Sequence, residues 1–200
     1  GLGIGLAGTA GNQEGSLRGF TTPGQQRFFG YRTGTGINAA SANVSADGEH
    51  WRLAPQAYYY WGPLGIFGEY TLSEQQVRRD DGSATFRTLR NTAWQVAASY
   101  FVTGEDNSFR PVVPKNPLNP AESGWGAWEL AARVGGLDVD SDAFPIFSNP
   151  LNSAAGAFSW GVGVNWHVNR NFKLTLNYEQ TDFRLSNAGV SSTATRAPLL

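Results

Sequence analysis

The 200-residue sequence contains no cysteine, which excludes disulfides, thiolate catalysis and cysteine-held metals. It contains no run of about 18 apolar residues, so no helix is expected to span a membrane. Histidine is scarce. His50 and His167 are the two present, and neither has a neighbour at metal-ligand spacing. No G-x-S-x-G elbow and no Walker loop occurs. The glycines of the opening GLGIGLAG lead into no helical pattern, so they do not read as a phosphate cradle. No metal, no cofactor and no enzymatic reaction is expected. Charged residues make up only 16%, and the net charge is −1, which offers no basic surface to nucleic acid. The chain opens in a strand-like segment with no signal peptide ahead of it. It is expected to be a mature chain or an internal piece.

What the sequence has is glycine, aromatics and alternation. Gly accounts for 25 residues and aromatics for 13%. In AFSWGVGVNWHV, Phe158, Trp160, Val162, Val164, Trp166 and Val168 fall on even positions. Ser159, Gly161, Gly163, Asn165 and His167 fall between them. Side chains alternate faces along a strand, so one face is apolar and the other small and polar. The aromatics lie toward the ends of the apolar face with valines between, the banding of a strand that crosses a membrane in a barrel. A mean hydropathy of −0.32 does not oppose this, because a barrel carries its apolar residues at alternate positions.

The same pattern predicts about eight strands. They are expected near 1–11, 26–33 (with a possible run on toward Ser45), 50–61, 64–78, 86–103, 125–139, 157–168 and 172–183. Asp47-Gly48 reads as a hairpin signal, and Pro55 is a blemish within the third strand. Tight turns are expected at 62–63 and 169–171, which places both on one side of the sheet. Short turns are periplasmic in outer-membrane barrels. That sets 80–86 and 140–156 outside and the long segment 104–124 on the periplasmic side, from which it could fold into the lumen. No normal helix or fixed repeat is seen, and 186–200 reads as an irregular tail of a single domain spanning 1–200.

Several long stretches, in order, carry a family resemblance: TPGQQRFFGYR, WRLAPQAYYYWGPLGIFGEYTLSEQQVRR, NTAWQVAASYFVTGED, WGAWELAARV and WGVGVNWHVNRNFKLTLNYEQTDF. The chain resembles the phosphate-selective porin O and P family. The resemblance implies an all-β, transmembrane antiparallel β-barrel meander, with about eight strands present of about 16. It further implies a bacterial outer-membrane channel, usually a homotrimer, in contact with outer-membrane lipid and passing small anions such as phosphate or polyphosphate. Family members are about twice as long, and the match is to their C-terminal half. The end, TATRAPLL, lacks the family's terminal Phe, so the closing strand is expected to be missing. The family's central anion site lies in the absent half and transfers to no residue here.

Alternation points Arg32, Arg52, Arg133 and Lys173 into the lumen, together with Glu69, Glu129 and Glu179. Such cations could select anions. Alternatively, the two signs cross-pair and tie the strands together. Arg110 and Lys115 reach a constriction if 104–124 folds inward. Tyr59, Trp61, Trp94, Trp128, Trp160 and Trp166 read as lipid-interface aromatics, while Tyr58 and Tyr60 point inward. Asp138, Asp140 and Asp142 lack the spacing of a calcium loop and read as a solvated outer loop. Two other functions stay open at this level. One is a soluble all-β carbohydrate-binding domain. The other is an eight-stranded structural barrel without transport.

Overall fold

A computed structural model of the chain describes residues 1–34, 43–80, 82 and 84–186. Among these, nine strands form: β1 (Leu2–Ser16), β2 (Phe20–Thr21), β3 (Arg27–Phe29), β4 (Val44–Trp61), β5 (Leu64–Arg79), β6 (Thr85–Phe101), β7 (Ala127–Asp138), β8 (Ala154–Asn169) and β9 (Phe172–Leu185). The described helices are two single 3-10 turns, Pro120–Glu122 and Ser141–Ala143. Seven strands make one antiparallel sheet in the order β1-β4-β5-β6-β7-β8-β9. From β4 onward each strand pairs with its successor. The sheet is open, with β1 and β9 at its edges.

Three expectations need correction. The segment 26–33 is not a wall strand. Only Arg27–Phe29 is extended, and it pairs with Phe20–Thr21 in a separate two-stranded sheet. β1 therefore pairs directly with β4, across the connection 17–43. Part of the proposed run toward Ser45 lies outside the described residues. Asp47-Gly48 does not turn a hairpin either. It lies within β4, where the register with β5 shifts between Ala46 and His50. Gly48 takes φ +118, so the positive φ serves a bulge rather than a turn. Finally, Arg32 lies outside the wall. Its guanidinium donates to the Pro145 carbonyl at 2.8 and 3.0 Å. Most of the tail 186–200 lies outside the described residues. The tight turns fall where expected, at Gly62-Pro63 and at Arg170-Asn171.

Register decides which residues share a face. Leu53 opposes Leu72, Tyr70 opposes Trp94, Val96 opposes Val134, and Val162 opposes Ala132 and Tyr178. On the other face, Gln56 opposes Glu69, Glu69 opposes Gln95, and Gln95 opposes Gly135. The apolar face is bare. Leu53, Ile66, Val96, Leu130, Val162 and Leu176 are all exposed, Leu176 at 76%. No second layer covers it among the described residues, so they do not form a soluble sandwich.

The buried core lies on the opposite, small-residue face. Phe28, Phe29 and Tyr31 from the 17–34 connection meet Phe144 and Phe147 from the 139–153 connection. Wall residues Val44, Val77 and Leu89 complete the cluster. Phe29 meets Tyr31 edge-on at 5.0 Å and Phe144 at 5.8 Å. The Ser148 hydroxyl donates to the Gly30 carbonyl at 2.7 Å, and the Arg32 N–H to Phe147 O at 2.9 Å. Burial pushes the Tyr31 hydroxyl up to about 12. A hydrogen bond with Asn91 opposes the rise, and the charge of Asp140 adds to it. Two connections from the same end of the sheet are thus zipped into a dry plug against its inner face.

Phe147 is fully buried in that plug. Phe147→Ala is expected to destabilise it by roughly 3–5 kcal/mol. The check is protease cleavage within 17–34 in detergent micelles, with far-ultraviolet circular dichroism following the wall. Cleavage should rise while the strand signal holds. Simultaneous loss of both would show that plug and wall fold as one unit.

Candidate functional site: the inner face of the sheet

The inner face is built mainly from Gly, Ala, Ser and Thr, with a few long polar side chains set among them. One cross-strand row reads Thr9, Arg52, Ser73 and Asn91. A second reads Gln56, Glu69, Gln95, Gly135, Ser159 and Thr181. Gln95 donates to Glu69 at 3.2 Å, and the Ser159 and Thr181 hydroxyls lie 2.9 Å apart. A third row carries Ala97, Arg133, Gly161 and Glu179.

The charges divide into paired and free. Arg133 Nη2 lies 3.2 Å from Glu179 Oε2. Glu129 accepts from Asn165 at 2.9 Å and lies 3.4 Å from His167 Nε2. Arg52 and Lys173, by contrast, have no ion-pair partner among the described residues. Lys173 stands opposite His167 on the neighbouring strand. Four participants were not singled out by sequence: Gln95, Asn165, Ser73 and Gln13. The last two bond His50, at 3.1 and 2.7 Å. Alternation placed Gln95, Asn165 and Ser73 on this face, Gln13 lies beyond the strand expected at 1–11, and only the cross-strand register shows what each touches.

The connection between β6 and β7 lies at the short-turn end and folds against this same face. Asn107 Nδ2 donates to Ser99 Oγ at 2.6 Å. It lies over Gly65, where an added Cβ would stand 2.6 Å from the Asn107 side chain. Two residues on, Phe109 meets Tyr58 at 4.7 Å and Tyr60 at 5.2 Å, nearly perpendicular to both. Glu105 holds the base of the segment. It is 5% exposed. It accepts from the Lys115 N–H at 3.0 Å and from the Thr103 hydroxyl. Lys115 Nζ in turn bonds the Gly104 carbonyl. Burial alone would raise the Glu105 carboxyl, but these hydrogen bonds and the Lys115 charge hold it below the ordinary glutamate range. Arg110 is exposed, with no ion-pair partner among the described residues.

The outer face carries the aromatics. Trp61 is 71% exposed at the lower end of β4, with Tyr59 exposed beside it. Trp128 and Trp166 stack at 5.2 Å near the same end. Trp94 with Phe158, and Trp160 with Tyr178, meet further up at 6.4 and 5.6 Å. Along β8, Trp160 and Trp166 bracket Val162 and Val164 over about 20 Å of strand. Above the apolar region the outer face turns ionic. Glu74 binds Arg90 and accepts from Trp51, and Asp138 binds Arg184 at 2.6 Å.

No group of three or more His, Asp or Glu side chains that could hold a metal exists among the described residues. Asp140 instead accepts from the Arg90 and Asp142 N–H groups, at 2.7 and 2.9 Å.

The lowered Glu105 group gives a signed prediction. Its stabilisation is present above the unfolded-state glutamate range and is lost as pH falls through the lower folded value. Protection of the 103–115 amides, relative to their intrinsic exchange rate at each pH, should therefore fall as pH drops through the lowered Glu105 range. Glu105→Ala should show the lowered protection already at neutral pH. Identical pH profiles for the two proteins would refute this role.

A search of the curated proteins finds no match. The family model described as phosphate-selective porin O and P matches residues 18–196, nearly the whole chain. With a bare apolar outer face, a polar inner face and infolded connections, the chain belongs to the phosphate-selective porin O and P family.

Proposed function

We propose that this porin passes small anions, phosphate among them, by passive diffusion along the inner face. Membership in the family supports a porin function, and with it a channel in the bacterial outer membrane. The observation that carries the finer reading is the division of inner-face charge. Glu179 neutralises Arg133, whereas Arg52 and Lys173 are left to the lumen. An unpaired cation on a low-dielectric wall attracts anions, and a cross-paired one contributes little field. Arg110 adds a positive charge where the β6–β7 connection narrows the short-turn end. The exposure of the outer-face aromatics supports an outer face set against lipid, with rings at the headgroup level. Assembly into a homotrimer would cover part of that face, and the mass of the detergent-solubilised full-length protein tests it.

Reversal potentials in planar bilayers test the charge assignment. Arg52→Glu should move selectivity toward cations. Glu179→Gln should move it toward anions by releasing Arg133. Both shifts should shrink between 0.1 M and 1 M KCl, as the Debye length falls from about 10 Å to about 3 Å. Unchanged potentials for both variants at low salt would sink the assignment.

A further inference from the structure

Arg52 is exposed on the inner face, with no ion-pair partner among the described residues. Ser73 stands directly opposite it on β5, one strand spacing or about 4.8 Å away. His50 lies two residues before Arg52 on β4 and shares its face. The imidazole is held at both nitrogens. Nδ1 lies 2.7 Å from Gln13 Oε1, and Nε2 lies 3.1 Å from Ser73 Oγ.

These two contacts fix the direction of a proton. A carboxamide oxygen can only accept, so His50 Nδ1 carries the hydrogen. In the neutral ring Nε2 is then an acceptor, and the Ser73 hydroxyl donates to it. With its one hydrogen so directed, Ser73 Oγ turns only lone pairs toward Arg52. On the other side of Ser73, Asn91 is tied to Asp140 and Tyr31 of the plug. The adjoining inner-face positions carry no carboxylate. They are Gly11 and Gln75 above, and Ala7, Ala54 and Thr71 below. The nearest carboxylate along this face of β5 is Glu69, four residues or about 13 Å away.

A free cation beside a pure acceptor discriminates between anions. Guanidinium N–H groups bind any oxyanion. The Ser73 lone pairs repel an anion oxygen that has no hydrogen and accept from one that has. Inorganic phosphate keeps a P–OH at neutral pH, whereas sulfate has none. Charge alone would favour sulfate, which is doubly negative throughout, so the two effects oppose each other.

We propose that Arg52 and Ser73 form a subsite for inorganic phosphate. His50 is its positioning residue, turning the Ser73 hydroxyl away from the anion and so disfavouring sulfate. The subsite rests on the anion reading above and adds to it the means of sorting one anion from another.

The test uses the full-length protein in planar bilayers, in KCl at neutral pH. Potassium phosphate and potassium sulfate are the probes, and block of the chloride current is the readout. Phosphate should block at about tenfold lower concentration than sulfate. Arg52→Gln should weaken both. His50→Leu frees the Ser73 hydroxyl to donate, so sulfate should block more strongly while phosphate changes little. A histidine that merely supported the fold would improve the binding of neither anion. Ser73→Ala removes the acceptor and should also bring the two anions together. Circular dichroism and the conductance in KCl alone check that each variant is folded. Equal block by phosphate and sulfate in an anion-selective wild type would overturn the subsite and leave the anion reading standing. Unimproved sulfate block in folded His50→Leu would overturn it as well. A wild type with no anion preference in its reversal potential would remove the anion reading and the subsite together.

Discussion

A strand turns its side chains over every residue, and the rest of this structure depends on that period of two. Because the two faces alternate, shifting a strand by one residue would send Arg52 and Glu69 outward and Leu53 and Tyr70 inward. Register is consequently fixed by solvent on both sides. Where β4 inserts extra residues at Asp47-Gly48, the bulge absorbs them, and the alternation resumes in phase at His50. That correction lies above the apolar band, next to the Asp47–Arg78 ion pair at 2.9 Å, where the outer face is already polar.

The second constraint is space. A wall with large inner side chains could not receive connections lying flat against it. Here the inner face is small along most of its length, so segments from both ends settle on it. The upper pair, 17–34 and 139–153, brings its own aromatic core and keeps it dry. The lower segment is held by polar contacts, through Glu105 at its base and Asn107 over Gly65. Burial is thus inverted relative to a water-soluble domain. The apolar wall face remains exposed, and the buried residues are shared between the connections and the wall strands they pack against.

Much of this was legible in the sequence. Alternation located the long strands within a few residues, because period two is strong over a span as long as 157–168. The faces followed, and so did the two tight turns. The failures share a cause. QRFFGYR has the composition of a strand, yet Phe28, Phe29 and Tyr31 are buried against another connection rather than paired into the wall. Composition cannot distinguish an aromatic that faces lipid from one that faces a plug. Asp47-Gly48 signals positive φ, which a bulge uses as readily as a turn. Arg32 was placed by a strand that does not exist. For Arg133, alternation supplied the face but not the partner, since Glu179 is 46 residues away and reaches it across the one intervening strand, β8.

The open sheet carries one more consequence. β1 and β9 each present an edge of backbone N–H and C=O groups that no strand in the sheet answers. Water can solvate such an edge, but hydrocarbon cannot, and each stranded group there costs several kcal/mol. The outer face has the opposite preference, since lipid suits it and water does not. In isolation the sheet therefore has no medium that satisfies both its faces and its margins. In hydrocarbon, contact of the outer face with lipid and pairing of the two margins would therefore favour one another.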